Sequence, residues 1–421
     1  MKLKITSLLL ASSSFVFAQS QPAAMRLEQF EQFALAGNPT LQQAGALVRE
    51  SAGRARQAGL YPNPSVGYQG DQIRGGAFGG GEQGAFLQQT FVLGGKLGLR
   101  RDVYEQRRRA DEIGVSEQRH RVLADVGQSF YSAFAAQEIV HLRERLLALA
   151  RDAVTTAHQL ANVGQADAPD ILQAEVEAEQ AQVDYATAQQ TYTKMFRRLA
   201  AVAGKADLPV APLAGDFEHP SSVDADRIVN QIVENSPSVK RAQQDVMRAQ
   251  AEIKSARREV VPDLEIRGGV QQNFEQLPEF SGRSTGAQGF ASAGVDLPIF
   301  NRNQGNVAAA KAGLERAEAE VSRVRLSLRH DAEPLLRDYL SYQMQASRYK
   351  NEMIPRATRA YDLYLAKYRQ MGAAYPQVLV SQRTLFQLQV GYIHALESVW
   401  ANAIALENFA LSSGLGAPVD R

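Results

Sequence analysis

The stretch from Gly95 to Asn162 constrains the fold more than any other part of the sequence, because it contains no proline and opens at the Gly94-Gly95 pair. Its apolar residues recur every three or four positions, which is the spacing of one helix face packed against a partner. These residues include Ile139, Leu142, Leu146, Leu149, Ala153 and Leu160. At about 1.5 Å per residue the helix would be roughly 100 Å long. No compact globular core requires a rod of that length.

Two shorter helical patterns flank the long one and together nearly match its length. They run from Pro39 to Leu60 and from Pro169 to Ala203, so that stacked end to end they would line the rod. Between the first pattern and the rod lies a predicted hairpin, residues 64–93, with strands at Ser65–Ile73 and Gln83–Leu93. Each strand has roughly ten residues, the length that a tilted strand needs to cross a membrane.

The same order of patterns occurs twice, which indicates a duplication. Ser236-Pro237 repeats the helix start at Asn38-Pro39, and Pro262-Asp263 repeats Pro62-Asn63. We therefore expect one domain made of two structural repeats and a proline-rich linker. The boundaries are residues 19–206 for the first repeat, 207–222 for the linker and 223–421 for the second repeat.

The second repeat contains the clearer hairpin, residues 263–299. Apolar residues alternate with polar ones from Leu264 to Val270 and again from Ala291 to Ile299, so each strand has one apolar and one polar face. The long helical stretch that follows, Gln304 to Gln370, contains two prolines. We expect bends at Pro334 and Pro355, because each proline removes a backbone hydrogen bond.

The N-terminus and the composition indicate an exported bacterial protein. Lys2 and Lys4 precede an apolar run that ends at Val16-Phe17-Ala18, so residues 1–18 are expected to be a removed signal peptide. The chain has no cysteine, which suits a periplasmic or outer-membrane protein better than a small secreted scaffold stapled by disulfides. Its 46 basic residues balance 45 acidic ones, so we expect no nucleic-acid partner.

Four strands per chain cannot close a barrel by themselves. An open strand edge is prohibitively costly in lipid, so closure requires strands from several chains. Two chains would supply a filled eight-stranded barrel, whereas three would supply twelve strands and leave room for a channel. We therefore predict a mainly α-helical fold with a small β part: the duplicated long helices form an α-helical barrel, and the four strands contribute to an oligomeric transmembrane β-barrel.

Several segments of the sequence carry a resemblance to a known family. They are Asn38–Leu41, Tyr61–Pro64, Gly164–Leu172, Asp296–Gly305 and Gly372–Leu385. On these segments the chain, over essentially its whole mature length, resembles the outer-membrane efflux proteins, the family of the TolC channel. Within that family, Leu93–Arg100 and Ile354–Ala357 resemble the members that belong to heavy-metal efflux systems of the cobalt, zinc and cadmium type.

The resemblance implies a homotrimer with a twelve-stranded barrel in the lipid of the bacterial outer membrane and a helical tunnel in the periplasm. It also implies a passive exit duct of a tripartite efflux system. Its partners would be a periplasmic adaptor, or membrane fusion protein, and an inner-membrane proton-driven pump of the resistance-nodulation-division class. The expected cargo is heavy-metal cations, and no cofactor is expected.

The periplasmic tip is the candidate gate. Members of this family often close the tip with acidic residues in the turn between the long and the return helix. Asp170 matches that pattern in the first repeat, whereas the corresponding positions of the second repeat are Gln377 and Val380. We expect Asp170 to face the tip region and to help restrict it.

The two tip turns are also candidate docking sites for a hairpin of the adaptor. The first turn contains Gly164 and Pro169, and the second contains Gly372 and Pro376. Turns rich in glycine and small residues are common, but these two would lie at the end of a long exported rod. That position favours a role in docking.

The sequence contains no recognisable catalytic or metal-binding constellation. The histidines are at positions 120, 141, 158, 219, 330 and 394, and none lies three or four residues from another, as a helical zinc site would require. Glu175, Glu177 and Glu179 are interpreted as solvated helix surface. We expect no enzyme activity and no metal site.

Other functions remain open at this stage. The same kind of duct could export drugs, organic solvents or a secreted polypeptide. Two hypotheses of another class are a periplasmic adaptor and a coiled-coil spacer without a pore. An adaptor carries one helical hairpin flanked by small β domains, whereas here the strands lie inside each helical repeat.

Overall fold

The computed structural model describes residues 24–73, 80–162, 164, 167–276, 284–370 and 375–418. The predicted signal peptide lies outside these residues. The first repeat begins with a short helix and contains a hairpin between its second and third helices. Its elements are α1 (Leu27–Gly37), α2 (Pro39–Ala58), β1 (Ser65–Asp71), β2 (Glu82–Phe91), α3 (Lys96–Asn162) and α4 (Ala168–Val202).

The second repeat has the same order of elements, except that its long helix is divided. Its elements are α5 (Ile228–Asn235), α6 (Pro237–Arg258), β3 (Leu264–Gln276), β4 (Ser284–Val295), α7 (Gln304–Arg348), a π-helical turn (Tyr349–Met353), α8 (Ile354–Arg369) and α9 (Tyr375–Glu407). Among the described residues, no helix combines the length and the apolar character that crossing a membrane requires.

The N-terminus of α2 meets the C-terminus of α4, which confirms that the two shorter helices stack end to end. Asn38 caps α2, because its Oδ1 accepts hydrogen bonds from the backbone N of Thr40 at 2.9 Å and from Thr40 Oγ1 at 2.7 Å. Its Nδ2 donates to the carbonyl oxygen of Val202, the last residue of α4, at 3.2 Å. Both helices pack along α3, which is unbroken for 67 residues as predicted.

The seam along the distal half of α3 contains Leu142, Leu146 and Ala153 as predicted and differs from the prediction at Leu149. Leu149 is exposed, whereas Leu147, Ala150 and Ala157 are buried together with Leu142. Leu147 and Ala150 pack against α4, and Ala157 packs against both α4 and α9. The apolar spacing was therefore recognised correctly, but the position of the partner helices selects a slightly rotated face.

The two prolines of the second long helix behave differently. Pro334 lies inside α7, which continues through it, and the neighbouring residues Ala332 and Leu336 are buried. Pro355 directly follows the π-helical turn, so the regular hydrogen-bonding pattern is indeed interrupted there. A helical irregularity therefore accompanies Pro355, whereas the bend at Pro334 stays a prediction.

The main core joins both repeats and the segment between them. Phe30, Phe130 and Phe196 are fully buried, and they bring α1, α3 and α4 together. The rings of Tyr131 and Trp400 stack with their centroids 3.8 Å apart, and Trp400 Nε1 donates to the carbonyl oxygen of Phe217 at 2.9 Å. Residues 207–222, predicted to be a linker, thus contribute to the core. A second core of α5, α6, α7 and α9 shares α9 with the first.

The two hairpins form one antiparallel sheet with the strand order β1-β2-β3-β4. Strands β2 and β3 pair along their length, so the hairpins of the two repeats are continuous with each other. β1 and β4 are the edge strands, and neither has a second strand partner within the described residues. The predicted two-strand hairpins are therefore halves of a single four-stranded sheet.

Strand β4 ends earlier than the sequence predicted. The alternating pattern extends to Ile299, but the strand ends at Val295, and Leu297 and Ile299 are exposed beyond it. Pro298 has no backbone N–H and cannot continue a strand ladder in the middle of a sheet. Strand β3, in contrast, continues to Gln276, farther than its predicted alternation.

A charge pair with a buried lysine joins the sheet to the helices. Lys96, at the start of α3, is 4% exposed, and its Nζ lies 2.6 Å from Asp263 Oδ1 and 2.9 Å from the carbonyl oxygen of Val261. Burial disfavours the charged form of Asp263, but hydrogen bonds from Lys96 and from the backbone N of Leu93 outweigh it and hold the pKa of Asp263 below its ordinary value. Close by, the guanidinium of Arg100 binds both carboxylate oxygens of Glu259 at 2.7 and 2.8 Å.

We expect Asn38→Ala to destabilise the protein more than the equivalent substitution in the second repeat. Asn38→Ala removes the cap and the bond to Val202 and should lower the free energy of unfolding by about 2 kcal/mol. Ser236 caps α6 with a single bond to the backbone N of Ser238 at 3.2 Å, so Ser236→Ala should cost about 1 kcal/mol. Thermal unfolding followed by circular dichroism compares the two. Equal losses would contradict a joining role for Asn38.

Candidate functional site

The two helical hairpins α3–α4 and α8–α9 end together, and this common end is the candidate tip of the rod. Ala157 of α3 and Ala174 of α4 pack with Tyr375 and Leu379 at the start of α9. Tyr368, in the last turn of α8, completes the cluster. The contacts therefore place the turn of the first repeat beside the turn of the second, as the duplicated sequence pattern predicts.

The turn between α3 and α4 has the backbone of a helix end followed by a helix start. Gly164 has a φ of +73°, a conformation that favours glycine, and its N–H donates to the carbonyl oxygen of Ala161 at 2.9 Å. Pro169 lies in the first turn of α4, where the absence of its N–H leaves no hydrogen bond unmade. Gly164 and Pro169 are exposed, as a docking surface requires.

The other predicted tip residues lie on or next to α9. Pro376 and Gln377 are exposed in its first turn, and Val380 is exposed one turn later. Gly372 lies outside the described residues. The structure thus brings Pro376 and Gln377 to the same end of the rod as Gly164 and Pro169, and all of them are accessible from solvent.

Asp170 is half-buried at the start of α4, near Tyr368 of the second hairpin. Its backbone N donates to the carbonyl oxygen of Asp167 at 3.0 Å, which fixes it in the first helical turn. Burial, and to a smaller extent the charge of Asp170, raise the pKa of Tyr368 on α8. The carboxylate of Asp170 therefore lies close enough to α8 to disfavour the ionised form of Tyr368, whereas Gln377 and Val380 carry no charge.

Two tyrosines at the tip were not identified from the sequence. The rings of Tyr368 and Tyr375 have their centroids 5.5 Å apart at an angle of 45°. Tyr375 is buried, and this burial, with smaller contributions from Tyr368 and Glu177, raises the pKa of Tyr375 to about 12. Tyr375 directly precedes Pro376 in the predicted turn. An aromatic residue beside a turn proline was the feature of the sequence that could have identified it.

Behind the tip, a cavity of about 420 Å³ separates the first hairpin from α9. Arg383 of α9 forms an ion pair with Glu177 of α4 across one side of it. Arg143 of α3 pairs with Asp184 of α4 at 2.9 Å on another side. The cavity wall therefore combines apolar side chains with paired charges of both signs.

The interpretation of the three glutamates as solvated surface was wrong for Glu177. Its side chain is only 18% exposed, because it lies between α4 and α9 and accepts hydrogen bonds from Gln173 at 3.0 Å and from Arg383. Glu175 stays half-exposed and lies 3.3 Å from His158 Nε2, and Glu179 is exposed. In the described part of the chain, no group of three potential metal ligands comes together.

Comparison with known proteins gives a match over most of the chain. The family model described as outer membrane efflux protein matches residues 32–205 and 228–410. The cobalt-zinc-cadmium resistance protein CzcC of Cupriavidus metallidurans is 26% identical over 392 residues, which are 93% of this chain and 91% of that protein. The nickel-cobalt-cadmium resistance protein NccC of Alcaligenes xylosoxydans xylosoxydans is 26% identical over 325 residues, covering 76% of this chain and 71% of that protein.

Among solved structures, CusC has a similar fold. The TM-score is 0.75 at 19% sequence identity, and the match covers 93% of each chain. In CusC, conformational changes accompany folding and the formation of a transmembrane channel. At this level of identity the likeness establishes the fold, in which long helical repeats are combined with a four-stranded sheet.

We expect alkaline pH to loosen the tip, and Tyr375→Phe to weaken this effect. An unfolded tyrosine has a pKa of about 10, whereas the pKa of Tyr375 in the fold is about 12. Between these values the loosened state loses a proton that the packed state keeps, so stability present below pH 10 falls as the pH rises to 12. Since the chain has no other cysteine, a dye on Gln377→Cys reports the transition at the tip.

Tyr192→Phe is the control for this titration. The pKa of Tyr192 is also raised to about 12 by burial, but Tyr192 packs against the main core, far along α4 from the tip. Its substitution should leave the alkaline signal of the tip dye unchanged. A Tyr375→Phe variant with the full alkaline response of the parent would contradict the assignment.

Proposed function

This chain belongs to the outer membrane efflux protein family, and we propose that it forms the passive outer-membrane exit duct through which a tripartite system exports heavy-metal cations. The observation that carries the proposal is the chemistry of the four-stranded sheet, which has one apolar and one polar face. The helical rod would continue the duct into the periplasm, with the tip at its inner end.

Large apolar side chains are exposed on one face of the sheet only. The strand register places these residues on a common face. They are Val66, Tyr68, Leu87, Phe91, Ile266, Val270 and Val295. The opposite face carries mostly polar side chains, among them Gln69, Gln88, Glu265, Arg267 and Gln271. Apolar side chains exposed this regularly are suited to lipid, and the polar face is suited to a water-filled lumen.

The open edges of the sheet support assembly into a trimer. Within the described sheet, β1 and β4 present unpaired backbone groups, and within lipid each of these groups would cost several kcal/mol. Because the four strands alternate in direction, β4 of one copy would run antiparallel to β1 of the next. Three copies give twelve strands, and a barrel of twelve strands leaves a lumen wide enough for a duct.

The cargo is proposed from the relatives. CzcC and NccC are named for resistance to cobalt, cadmium and either zinc or nickel, and CzcC matches nearly the full length of this chain. A duct need not bind its cargo. The driving force would come from an inner-membrane proton-driven pump of the resistance-nodulation-division class, linked by a periplasmic adaptor that docks at the exposed tip turns around Gly164, Pro169 and Pro376.

A duct for drugs, solvents or a secreted polypeptide is the alternative. It shares every structural feature above and differs only in the pump and adaptor that feed it. The alternatives of another class, an adaptor or a spacer without a pore, leave the exposed apolar face of the sheet without a function. Further copies of the same sheet, rather than a different protein, could pair with both open edges, because β4 of one copy runs antiparallel to β1 of the next.

Deletion of the gene should sensitise the host bacterium to metal salts. We expect growth to fail at lower concentrations of zinc, cobalt or cadmium salts, with copper tested beside them, because pumped cations would no longer leave the periplasm. Sensitivity to dyes and detergents measured in the same strain is the control. Unchanged metal tolerance with increased dye sensitivity would refute the metal cargo and favour the drug duct.

Asp170→Ala should raise the conductance of the purified trimer in planar lipid bilayers. The substitution removes a half-buried carboxylate from the first turn of α4, where we propose that it helps to restrict the tip. Asp167→Ala is the matched control, because Asp167 is an exposed carboxylate three residues away whose side chain makes no capping bond. An Asp170→Ala channel with the parent's conductance would exclude Asp170 from the gate.

A further inference from the structure

The junction between the two repeats of one chain joins the exit from the first hairpin to the entry into the second. Lys96 Nζ lies 2.6 Å from Asp263 Oδ1 and donates to the carbonyl oxygen of Val261 at 2.9 Å. The backbone N of Leu93 donates to Asp263 Oδ1 at 3.1 Å. A Cβ atom on Gly94 would lie 2.9 Å from Val261 Cγ1, so the two segments are in direct contact. The exit from one repeat thus packs on the entry into the other.

The duplication places a second copy of each half of this junction at the outer edges of the chain. Gln304 is the first residue of α7, as Lys96 is of α3. Asn63, between α2 and β1, is the counterpart of Asp263, between α6 and β3. Since the sheet has the order β1-β2-β3-β4, the entry into β1 and the exit from β4 lie at its two opposite edges. The two outer halves therefore face away from each other within one chain.

The start of α7 repeats the backbone of the start of α3. Gly95 and Asn303, which directly precede the two helices, have φ values of +71° and +60°. The second exit is longer, because α7 begins nine residues after the end of β4 at Val295, whereas α3 begins five residues after the end of β2 at Phe91. The chain nevertheless enters both long helices through the same left-handed turn. The longer exit also carries three exposed apolar residues, Leu297, Ile299 and Phe300.

The outer halves differ from the inner ones in burial. Lys96 is 4% exposed and Asp263 is half-buried, whereas Gln304 and Asn63 are both exposed. The side chain of Gln304 is turned back onto its own segment, where its Oε1 accepts from the backbone N of Arg302 at 2.8 Å. The surfaces that cover each other inside the chain are thus uncovered at its edges.

Both members of the ion pair are amides in the outer halves. The lysine at the helix start is replaced by Gln304, and the aspartate before the strand is replaced by Asn63. Each amide can donate and accept a hydrogen bond, so the two can pair without charge. They are in water until copies assemble, and burying an amide costs less than burying an ion. The matched exchange of both partners indicates a contact of different chemistry rather than a lost contact.

We propose that Gln304 of one copy and Asn63 of the next form a hydrogen-bonded amide pair, in the position that Lys96 and Asp263 occupy within a chain. This inference rests on the proposed function, because it requires a ring of copies closed through β4 and β1. In an antiparallel pair the end of one strand lies beside the start of the other, so the exit from β4 meets the entry into β1. Ion pairs within chains and amide pairs between chains then alternate around the ring.

Cysteine cross-linking tests the contact directly, because the chain has no cysteine of its own. Asn63→Cys and Gln304→Cys are combined in the full-length protein, which is purified in mild detergent and treated with a short bismaleimide. Denaturing gels should show covalent dimers and trimers, since each copy contributes to two boundaries. Asn63→Cys with Arg227→Cys is the matched control and should give monomers on the gel, because Arg227 is exposed at the other end of α6, before α5.

A second cysteine pair keeps both amides. Tyr61→Cys and Arg302→Cys occupy the counterparts of Val261 and Gly94, which are in contact at the internal junction. This pair should form a disulfide between chains on mild oxidation, and it covers the case in which the first pair fails to assemble. Absence of covalent oligomers from assembled trimers of these variants would overturn the amide pair and leave the duct intact.

Asn63→Asp and Gln304→Lys test the chemistry of the pair. Together they recreate between copies the ion pair that exists within the chain, whereas each alone places a charge against an amide. The midpoint of thermal dissociation of the trimer should therefore lie several degrees higher in the double variant than the sum of the two single shifts gives. Size-exclusion chromatography with light scattering after stepwise heating measures it.

Additive shifts would overturn the pairing of the two side chains while leaving the duct intact. A parent protein that is a monomer in mild detergent would overturn the proposed duct and the amide pair with it. The two failures are thus distinguished by the oligomeric state of the parent.

Discussion

The open edges of the sheet are the constraint on which the rest of the structure depends. β1 and β4 end the sheet on either side, and the large side chains of one face are exposed along its whole width. A free strand edge in water invites aggregation, and in lipid it is too costly to persist. The chain is therefore complete only when other copies supply the missing strands. The helices, which continue from the strand ends, must then follow the same rotational symmetry.

The helices can follow the symmetry of the sheet only if the junction between sheet and helices is rigid. An ion pair between Lys96 and Asp263 makes it rigid. Lys96 begins α3 and contacts Asp263 and the carbonyl oxygen of Val261, just before β3. The pair thus connects the exit from the first hairpin to the entry into the second. Loss of Asp263 would leave the charge of Lys96 buried, at a cost of about 3–5 kcal/mol. Such a pair contributes little net attraction. It does disfavour any other angle between the sheet and the helices, because the two charges would then separate.

Local signals allowed the sequence to predict most of the fold, whereas contacts between distant segments were beyond it. Proline and glycine mark the ends of α3, and alternation marks the strands, so these elements were found. The shift of the buried seam from Leu149 to Leu147 depends on where α4 and α9 lie. At the tip, Glu177 has the sequence pattern of a surface residue, and only its ion pair with Arg383 of α9 explains why it is largely buried. The position of Phe86 over a glycine of β1 follows from strand register, which one strand alone does not encode.

The π-helical turn explains how one helix of the second repeat can satisfy two different sets of neighbours. Before it, α7 packs its apolar face against α5, α6 and α9, with Tyr339 and Leu336 buried. A π turn contains one extra residue, which rotates everything after it by about 100° around the helix axis. Tyr349 begins the turn and packs closely over Gly391 of α9. Because of this rotation, the side of α8 that faces the tip need not be the side of α7 that faces the core. The first repeat, whose α3 is unbroken, has no such freedom, so the duplicated hairpins are not equivalent at the tip.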